Sequence, residues 1–334
     1  MQFAVHVDLK PYNTFGLAAT AQYFAKLSSV EQLSNLNNNA PVLVLGGGSN
    51  ILFRENISGY VVKNEIMGID LIREDAGHVY VRAGAGENWN GFVEHCITNG
   101  WCGVENLALI PGCIGASPMQ NIGAYGVEIK DVFHSLEAWH LQDKELHSFS
   151  LVDCAFGYRE SVFKRKYKGQ YIITHVTYRL RKTAEYHITY GAIQQELERM
   201  GVQELSIRAV ANAVISIRKS KLPDPAVIGN AGSFFKNPEI PAETFAALKL
   251  QFPDIIGYPT SSGMVKLAAG WLIERAGWKG YRKGDAGVHA KQALVLVNYG
   301  QATGDEIFQL SEEILHSIDA QFGVQLEREV NIIP

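Results

Sequence analysis

Residues 106–127 carry no charged side chain, and no regular element accommodates them. The run is long enough to cross a bilayer. It is nonetheless interrupted by Pro111, Pro118, Gln120, Asn121 and four glycines, and lipid does not tolerate the unpaired backbone groups such breaks would leave. The segment is therefore expected to be a buried loop. Its glycines permit close approach of backbone to a flat ring, and backbone donors can tune a flavin without any charged side chain. A loop packed between two layers satisfies the same pattern.

The rest of the chain sets the frame for that loop. At 334 residues it exceeds one ordinary core and should divide into two or three domains. With 47% hydrophobic and 19% charged residues and a net charge of -4, it has the composition of a soluble globular protein. It offers no global attraction to nucleic acid or an anionic membrane, so phosphate contacts must be local. The opening residues lack a basic segment followed by a long apolar one, which argues against a signal peptide. Cys96, Cys102, Cys113 and Cys154 have no paired spacing and fit reduced thiols in a cytoplasmic protein. No HExxH or Cys/His cluster occurs, so no metal is expected.

Ser28-Ser29-Val30-Glu31 reads as a capping box opening a helix through residue 36, followed by a buried strand over 42–45. Gly84-Ala85-Gly86-Glu87-Asn88 leads into an amphipathic helix with Trp89, Phe92, Cys96 and Ile97 on its apolar side. A long strand is expected over 171–180. Ile207, Val210, Val214 and Ile217 mark a helix that ends at Lys221-Leu222-Pro223-Asp224-Pro225, where a domain boundary is expected. Helices over 242–250 and 305–322 flank a strand at 293–297, and Ile307, Leu310, Ile314 and Ile318 should lie against a sheet. Helices and strands in both halves indicate α+β domains.

Several short constellations can carry chemistry. Gly46-Gly47-Gly48 follows a strand, and its backbone N–H groups can form a concave turn for a pyrophosphate, with Ser49 and Asn50 adding side-chain donors; a tight turn has the same composition. Neither this run nor Gly84-Ala85-Gly86 completes GxGxxG, and no GxxxxGK[ST] loop is present, so a Rossmann or P-loop nucleotide site is disfavoured. Gly232-Ser233-Phe234-Phe235-Lys236-Asn237-Pro238 sets a hydroxyl beside two aromatics and a cation, which suits proton delivery to a bound anion, although a serine after a glycine is commonly a turn residue. Arg159, next to Tyr158, suits a bidentate carboxylate contact. Glu327 and Glu329 face one way in an extended segment and Arg328 the other, a pattern a solvated edge strand also shows.

Taken together, Asn13-Thr14-Phe15-Gly16 and the segments 46–50, 105–126, 156–159, 221–225, 230–238, 265–273 and 326–330 resemble the UDP-N-acetylenolpyruvoylglucosamine reductases, also called UDP-N-acetylmuramate dehydrogenases, a family of flavoenzymes of peptidoglycan precursor synthesis. The resemblance spans nearly the whole chain. It implies an α+β protein with a vanillyl-alcohol-oxidase-type FAD-binding fold in two subdomains, 1–68 and 69–222, a substrate domain at 223–322 and a closing strand at 323–334 that returns to the active site. By motif, Arg159, Ser233 and Glu329 match the catalytic set, with Ser233 as proton donor; Glu329 is preferred to Glu327 because the family places its acid directly before the valine of the closing strand. Gly46, Gly47, Gly48, Ser49, Asn50, Ile110, Gly112, Ser117, Asn121, Gly123 and Gly126 correspond to cofactor-binding positions. Tyr190, in a Thr189-Tyr190-Gly191 setting that resembles the capping loop of the longer subgroup, and Lys221, Asn237, Lys266 and Gln292 correspond to substrate-binding positions. The implied cofactor is non-covalent FAD, with NADPH as co-substrate. The implied partner is a nucleotide-sugar small molecule, bound by a cytoplasmic monomer without nucleic acid or membrane. Lys236 is expected to help Ser233 act as an acid. A different FAD-dependent oxidase or dehydrogenase would share the N-terminal fold without needing the Ser233 loop.

Overall fold

The apolar run after residue 41 forms the strand Val42–Leu45, which lies parallel to Ile57–Asn64. Ile57–Asn64 in turn pairs in parallel with Thr20–Leu27, and Ala4–Asp8 completes a four-stranded sheet. The computed structural model describes residues 1–36, 41–190, 192–260 and 262–334. It groups them into two compact units, one comprising residues 1–7, 21–48 and 57–220, the other residues 8–20, 49–56 and 221–334.

The first unit also holds a five-stranded sheet ordered Glu145–Ser150, Phe133–His140, Tyr171–Arg181, His78–Gly84 and Ile69–Glu74. The expected strand over 171–180 is its centre. The helix Trp89–Thr98 starts at Asn88, whose side chain accepts the Gly91 N–H, and buries Trp89, Phe92, Val93, Cys96 and Ile97. That set follows the 3.6-residue apolar period read from the sequence. The helix Ile207–Lys221 buries Val210, Ala211, Ala213, Val214 and Ile217 in the same core.

In the second unit, Gly229–Asn230, Leu296–Asn298, Ala286–Val288 and Arg282–Lys283 form one antiparallel sheet. The helix Gly304–Phe322 buries Ile307, Leu310, Ile314 and Ile318 in the core that sheet shares. Thr303 and Glu306 close a reciprocal capping box at its start, and Gly323, at φ 62°, ends it, the left-handed position where glycine carries no Cβ penalty. Strand Asn331–Ile333 runs parallel to Ile51–Phe53, which brings the chain's closing segment back to residues just past the glycine turn.

Two expectations needed correction. Residues 30–36 do not form an α-helix: Val30–Asn35 is a 3₁₀ helix without a side-chain cap bond from Ser29. The Ser28 N–H is taken by the Gln32 carboxamide at 2.9 Å, so glutamine supplies the local acceptor. The strand expected at 293–297 is confined to Leu296–Asn298, because Val295 N–H bonds back to the Gln292 carbonyl at 3.1 Å and the Leu294 carbonyl is taken by Phe234 N–H at 2.7 Å. Apolar character there reflects a buried turn, which periodicity does not separate from a short strand.

The first residue of the last helix is where packing of the second unit is least forgiving. A Cβ on Gly304 would fall 1.7 Å from the Phe53 carbonyl oxygen, a backbone atom. Gly304→Ala should lower stability by roughly 2–4 kcal/mol through overpacking, whereas Thr303→Ala should cost about 1 kcal/mol as a lost cap. Thermal unfolding followed by far-UV circular dichroism should show the larger fall in midpoint for Gly304→Ala; equal midpoints would contradict the close contact.

Candidate active site

In the first unit the glycine turn and the uncharged block form one wall made largely of backbone. A Cβ on Gly47 would lie 2.9 Å from Gly112 Cα, and one on Gly46 would touch Cys113 and Ala116 at 3.7 and 3.9 Å. The block is in turn laid on the segment before the helix at 89: Gly115 N–H donates to the Ala85 carbonyl and Trp89 N–H to that of Gly112, at 2.9 and 3.0 Å. A Cβ on Gly115 would approach Ala85 Cβ to 2.6 Å. Only glycine permits the approaches at 47 and 115, whereas the Gly46 contacts are of ordinary van der Waals length. Gly48 and Gly112, at φ 63° and 118°, turn the chain at the two ends of the contact, and Ile110 packs half-buried against the adjacent core.

Two of the expected cofactor positions serve the scaffold with their side chains. Ser117 is 1% exposed; its Oγ donates to the Ile114 carbonyl at 2.8 Å and shares a 2.8 Å bond with the Tyr178 hydroxyl. Asn121 is fully buried and donates to Glu128 Oε2 and the Gly157 carbonyl, both at 3.0 Å, while accepting Lys130 N–H. By holding Gly157, Asn121 fixes the turn that presents Arg159.

Arg159 sits at φ 54°, a conformation that costs a non-glycine residue free energy and persists where surroundings impose it. Its Nη2 donates to the Gly123 carbonyl at 3.0 Å, and its guanidinium lies 5.4 Å from the Tyr158 ring. Glu160 is held by Arg165 at 2.8 Å. Arg218, on the helix Ile207–Lys221, is depressed below the ordinary arginine pKa by burial and, to a lesser degree, by nearby Arg159, while the Tyr125 phenol pulls the other way. Burial in turn raises the Tyr125 phenol, which the Arg218 charge opposes. Arg218 Nε is buried without a partner among the described residues. Two guanidiniums close to each other in a desolvated setting favour an anion between or beside them.

Tyr190 is 60% exposed and packs beside Gly126, where a Cβ would lie 3.3 Å from its own. Gly126, at φ 81°, leaves that space open. Buried Asn106 ties the region together by donating to the carbonyls of Tyr125 and His187 at 3.1 and 2.7 Å. Gly191 lies outside the described residues.

The second unit holds the Ser233 loop. Asn230, 2% exposed, accepts Gly232 N–H at 2.9 Å and donates to the Ile228 carbonyl, and its own carbonyl takes the Thr14 hydroxyl at 2.6 Å. Phe234 and Phe235 are buried in the core of this unit, edge to face at 5.3 Å, and hold Ser233 half-buried at the chain's turn. The loop then pairs with the closing segment: Glu329 N–H donates to the Phe234 carbonyl and Lys236 N–H to that of Glu327, both at 2.8 Å. Asn50 Nδ2 reaches the Glu329 carbonyl at 3.3 Å, so this expected cofactor residue lies beside the expected acid; half-buried Ser49 precedes it.

Lys236, expected to help Ser233, is engaged by an acid. Its ammonium donates to Glu327 Oε1 at 2.6 Å, and the charge is thereby compensated within the pair. The same contact commits Glu327. Arg328 points to the last helix, with Nε on Ser311 Oγ at 2.8 Å.

Three substrate candidates gather around the helix Ala269–Arg275. Asn237 Oδ1 accepts Ala269 N–H at 3.0 Å, and Gln292 Oε1 would lie 3.5 Å from a Cβ on Gly270. Lys266 faces Glu239 across a strand pair at 3.4 Å. Lys221 is exposed at the end of its helix. Among the described residues no cluster of three potential metal ligands occurs, and no helix is long and apolar enough to cross a membrane.

Sequence reasoning passed over Arg218 as a functional residue. The signal was present: Arg218 follows Val214 by four positions and so shares the buried face of its helix, a placement in which an arginine calls for a partner.

The residues fit a flavin: a glycine turn at a strand end continues into an uncharged, backbone-lined block, and a Cβ at Gly46, Gly47 or Gly115 would meet protein atoms in that wall. Comparison with known proteins agrees. A family model described as an FAD binding domain matches residues 22–149, and one described as the C-terminal domain of UDP-N-acetylenolpyruvoylglucosamine reductase matches residues 224–333. The chain is 51% identical over 339 residues to the UDP-N-acetylenolpyruvoylglucosamine reductase of Chromobacterium violaceum, covering 100% of this chain and 99% of the relative. It is 49% identical over 337 residues to that of Pseudomonas putida, covering 99% of each. The crystal structure of the enzyme from Thermus caldophilus aligns over 100% of both chains with a TM-score of 0.71 at 25% identity. The fold is thus that of an α+β FAD-binding flavoenzyme acting on a nucleotide sugar, and the chain belongs to the UDP-N-acetylenolpyruvoylglucosamine reductase family.

Proposed function

We propose that the chain reduces UDP-N-acetyl-enolpyruvoylglucosamine to UDP-N-acetylmuramate with NADPH as the electron source, that Ser233 is the proton donor, and that Arg159 and Glu329 stabilise the charge that develops on the substrate. Bound FAD supplies the hydride. The observation that carries the residue roles is the bond from Glu329 N–H to the Phe234 carbonyl, which sets the acid next to the residue that follows the serine.

Addition of hydride to the terminal carbon of an enolpyruvyl ether pushes charge onto its carboxylate as an enediolate. Arg159, fixed through Gly123 and Asn121, meets that charge with a preorganised cation, so little reorganisation is needed as it develops. Glu329 hydrogen-bonds the same oxygens when protonated or through water. Ser233 then delivers a proton to the carbon that bears the ether. Because Lys236 is paired with Glu327, the acidity of Ser233 rests on the substrate and on groups other than that lysine. Lys221, Asn237, Lys266 and Gln292 are assigned to the diphosphate and uridine, and Tyr190 to the diphosphate as a cap.

For the cofactor, Gly46, Gly47, Gly48, Ser49 and Asn50 are assigned to the pyrophosphate. The backbones of Ile110, Gly112, Ser117, Asn121, Gly123 and Gly126 are assigned to the ring and its linker. The linear division at 68, 222 and 322 into two flavin subdomains, a substrate domain and a closing strand belongs to the same proposal, as do a monomeric state, a cytoplasmic location and the absence of nucleic-acid and membrane partners.

FAD is expected to be non-covalent. No His or Cys lies in residues 46–50, and burial raises the Cys113 thiol above its ordinary pKa, which keeps it a poor nucleophile. Acid precipitation should release all the yellow colour; flavin left on the precipitated chain would contradict the assignment. Tyr190→Phe should weaken substrate binding by about 1.5–3 kcal/mol, since a hydroxyl on a diphosphate holds ground and transition states alike. The Michaelis constant for the enolpyruvyl substrate should rise with little change in turnover, and the reverse pattern would give the loop another role.

Ser233→Ala separates the two half-reactions. Stopped-flow bleaching of the flavin by NADPH should proceed nearly as in the parent, while reoxidation by the enolpyruvyl substrate should slow by about 10²–10⁴-fold, the usual worth of a positioned general acid. Arg159→Ala should share the pattern because the enediolate loses its counter-charge. Normal reoxidation in folded Ser233→Ala protein would remove the serine from the mechanism.

A further inference from the structure

A cavity of about 560 Å³ opens in the first unit between the edge strand Glu145–Ser150, the short helix Leu151–Cys154 and the turn that follows Val162. None of the residues assigned above to flavin or substrate lines it. Its volume is in the range of small-molecule sites, about 300–1,000 Å³.

Three aromatic rings are among the residues that line it, Phe149 almost fully buried. Phe149 meets Tyr167 and Tyr171 edge to face at 5.9 and 5.1 Å, and Tyr167 meets Tyr171 at 5.3 Å, so each ring is held by the other two. The polar groups are mostly donors. The Lys166 ammonium lies 4.8 Å over the Tyr167 ring and makes no ion pair among the described residues. His147 shares Nδ1 with the Tyr171 hydroxyl at 3.0 Å, which leaves its other ring nitrogen to act on a ligand. The imidazole is braced from behind: His140 stacks on it at 5.5 Å and 21°, and is itself held by Asp143 at 2.7 Å. The carboxylate on the rim, Asp153, is committed, since its Oδ2 accepts both the N–H and the hydroxyl of Ser150 at 2.8 and 2.6 Å.

An uncompensated ammonium and an imidazole line a space that aromatic rings also line, while the neighbouring acid is already bonded. We propose that this cavity binds a small aromatic anion such as an aryl phosphate, with its charged group on Lys166 and His147 and its ring against Phe149, Tyr167 and Tyr171. Charge-assisted bonds to the anion and ring packing then act together. A neutral phenol would forgo the first contribution and inorganic phosphate the second. Lys168, two residues beyond Lys166 and exposed, does not line the cavity.

The test is a titration of the FAD-loaded protein with phenyl phosphate, phenol and inorganic phosphate, followed by amide NMR shifts. Phenyl phosphate should saturate with a dissociation constant on the order of 1 mM, as befits a fragment of this size, and should move the signals of residues 147–149 and 166–171. Phenol and phosphate should each bind at least about tenfold more weakly, and Lys166→Ala should weaken phenyl phosphate by about tenfold or more. Lys168→Ala should leave it unchanged. The proposal is overturned if phenyl phosphate does not saturate, if inorganic phosphate binds as well, or if Lys166→Ala and Lys168→Ala behave alike.

Discussion

The pairing of the Ser233 loop with the closing segment is the constraint on which the placement of that loop in the second unit depends. Two forces hold it. Phe234 and Phe235 are 0% and 1% exposed, and each buried aromatic of this kind contributes about 1.5–3 kcal/mol. The backbone bonds from Glu329 and Lys236 contribute about 0.5–1.5 kcal/mol each. Burial therefore anchors the loop, and the hydrogen bonds select its register. A shift of one residue would exchange the bonded positions and move Glu329 away from Phe234. Asn230 adds stiffness by closing the turn at Gly232, where φ is 71°.

The Lys236 charge is compensated locally, and the Arg218 charge only in part. Lys236 is 8% exposed, and its pairing with Glu327 compensates a cation that would otherwise be costly to bury. The Glu327 side chain is 68% exposed, so solvent screens the pair and it adds little net stability. Arg218 is different: burial and, to a lesser degree, repulsion from Arg159 depress it. On the proposed mechanism the substrate carboxylate relieves that repulsion, which is how a site can be stable and still favour an anion. Tyr125 moderates the cost by bonding Arg218.

Much of the fold and of the site was legible in the residues. The strand Val42–Leu45, the helix Trp89–Thr98, the strand Tyr171–Arg181 and the apolar stripe of Gly304–Phe322 follow from period and caps alone. The uncharged block could be recognised as a loop because proline and glycine exclude regular structure. The turn at 292–295 and the 3₁₀ helix at 30–35 could not, since short apolar or capped runs satisfy more than one backbone geometry. The glycines at 47 and 115 announced flexibility in sequence. Only their neighbours, Gly112 and Ala85, reveal that the need was for close backbone approach.

The sequence by itself determined which groups are available: a serine followed by two aromatics, an arginine beside a tyrosine, paired glutamates before the final valine, and a family pattern across the chain. Tertiary structure decided which of them are engaged. Lys236 and Glu327 stand 91 residues apart and bond at 2.6 Å, and that contact commits the two groups to each other. Arg218 and Tyr125, also remote in sequence, meet through a helix face and a loop. The physical reason is that propensity and capping act over a few residues, whereas the compensation of a buried charge depends on whichever partner the packed chain brings within reach.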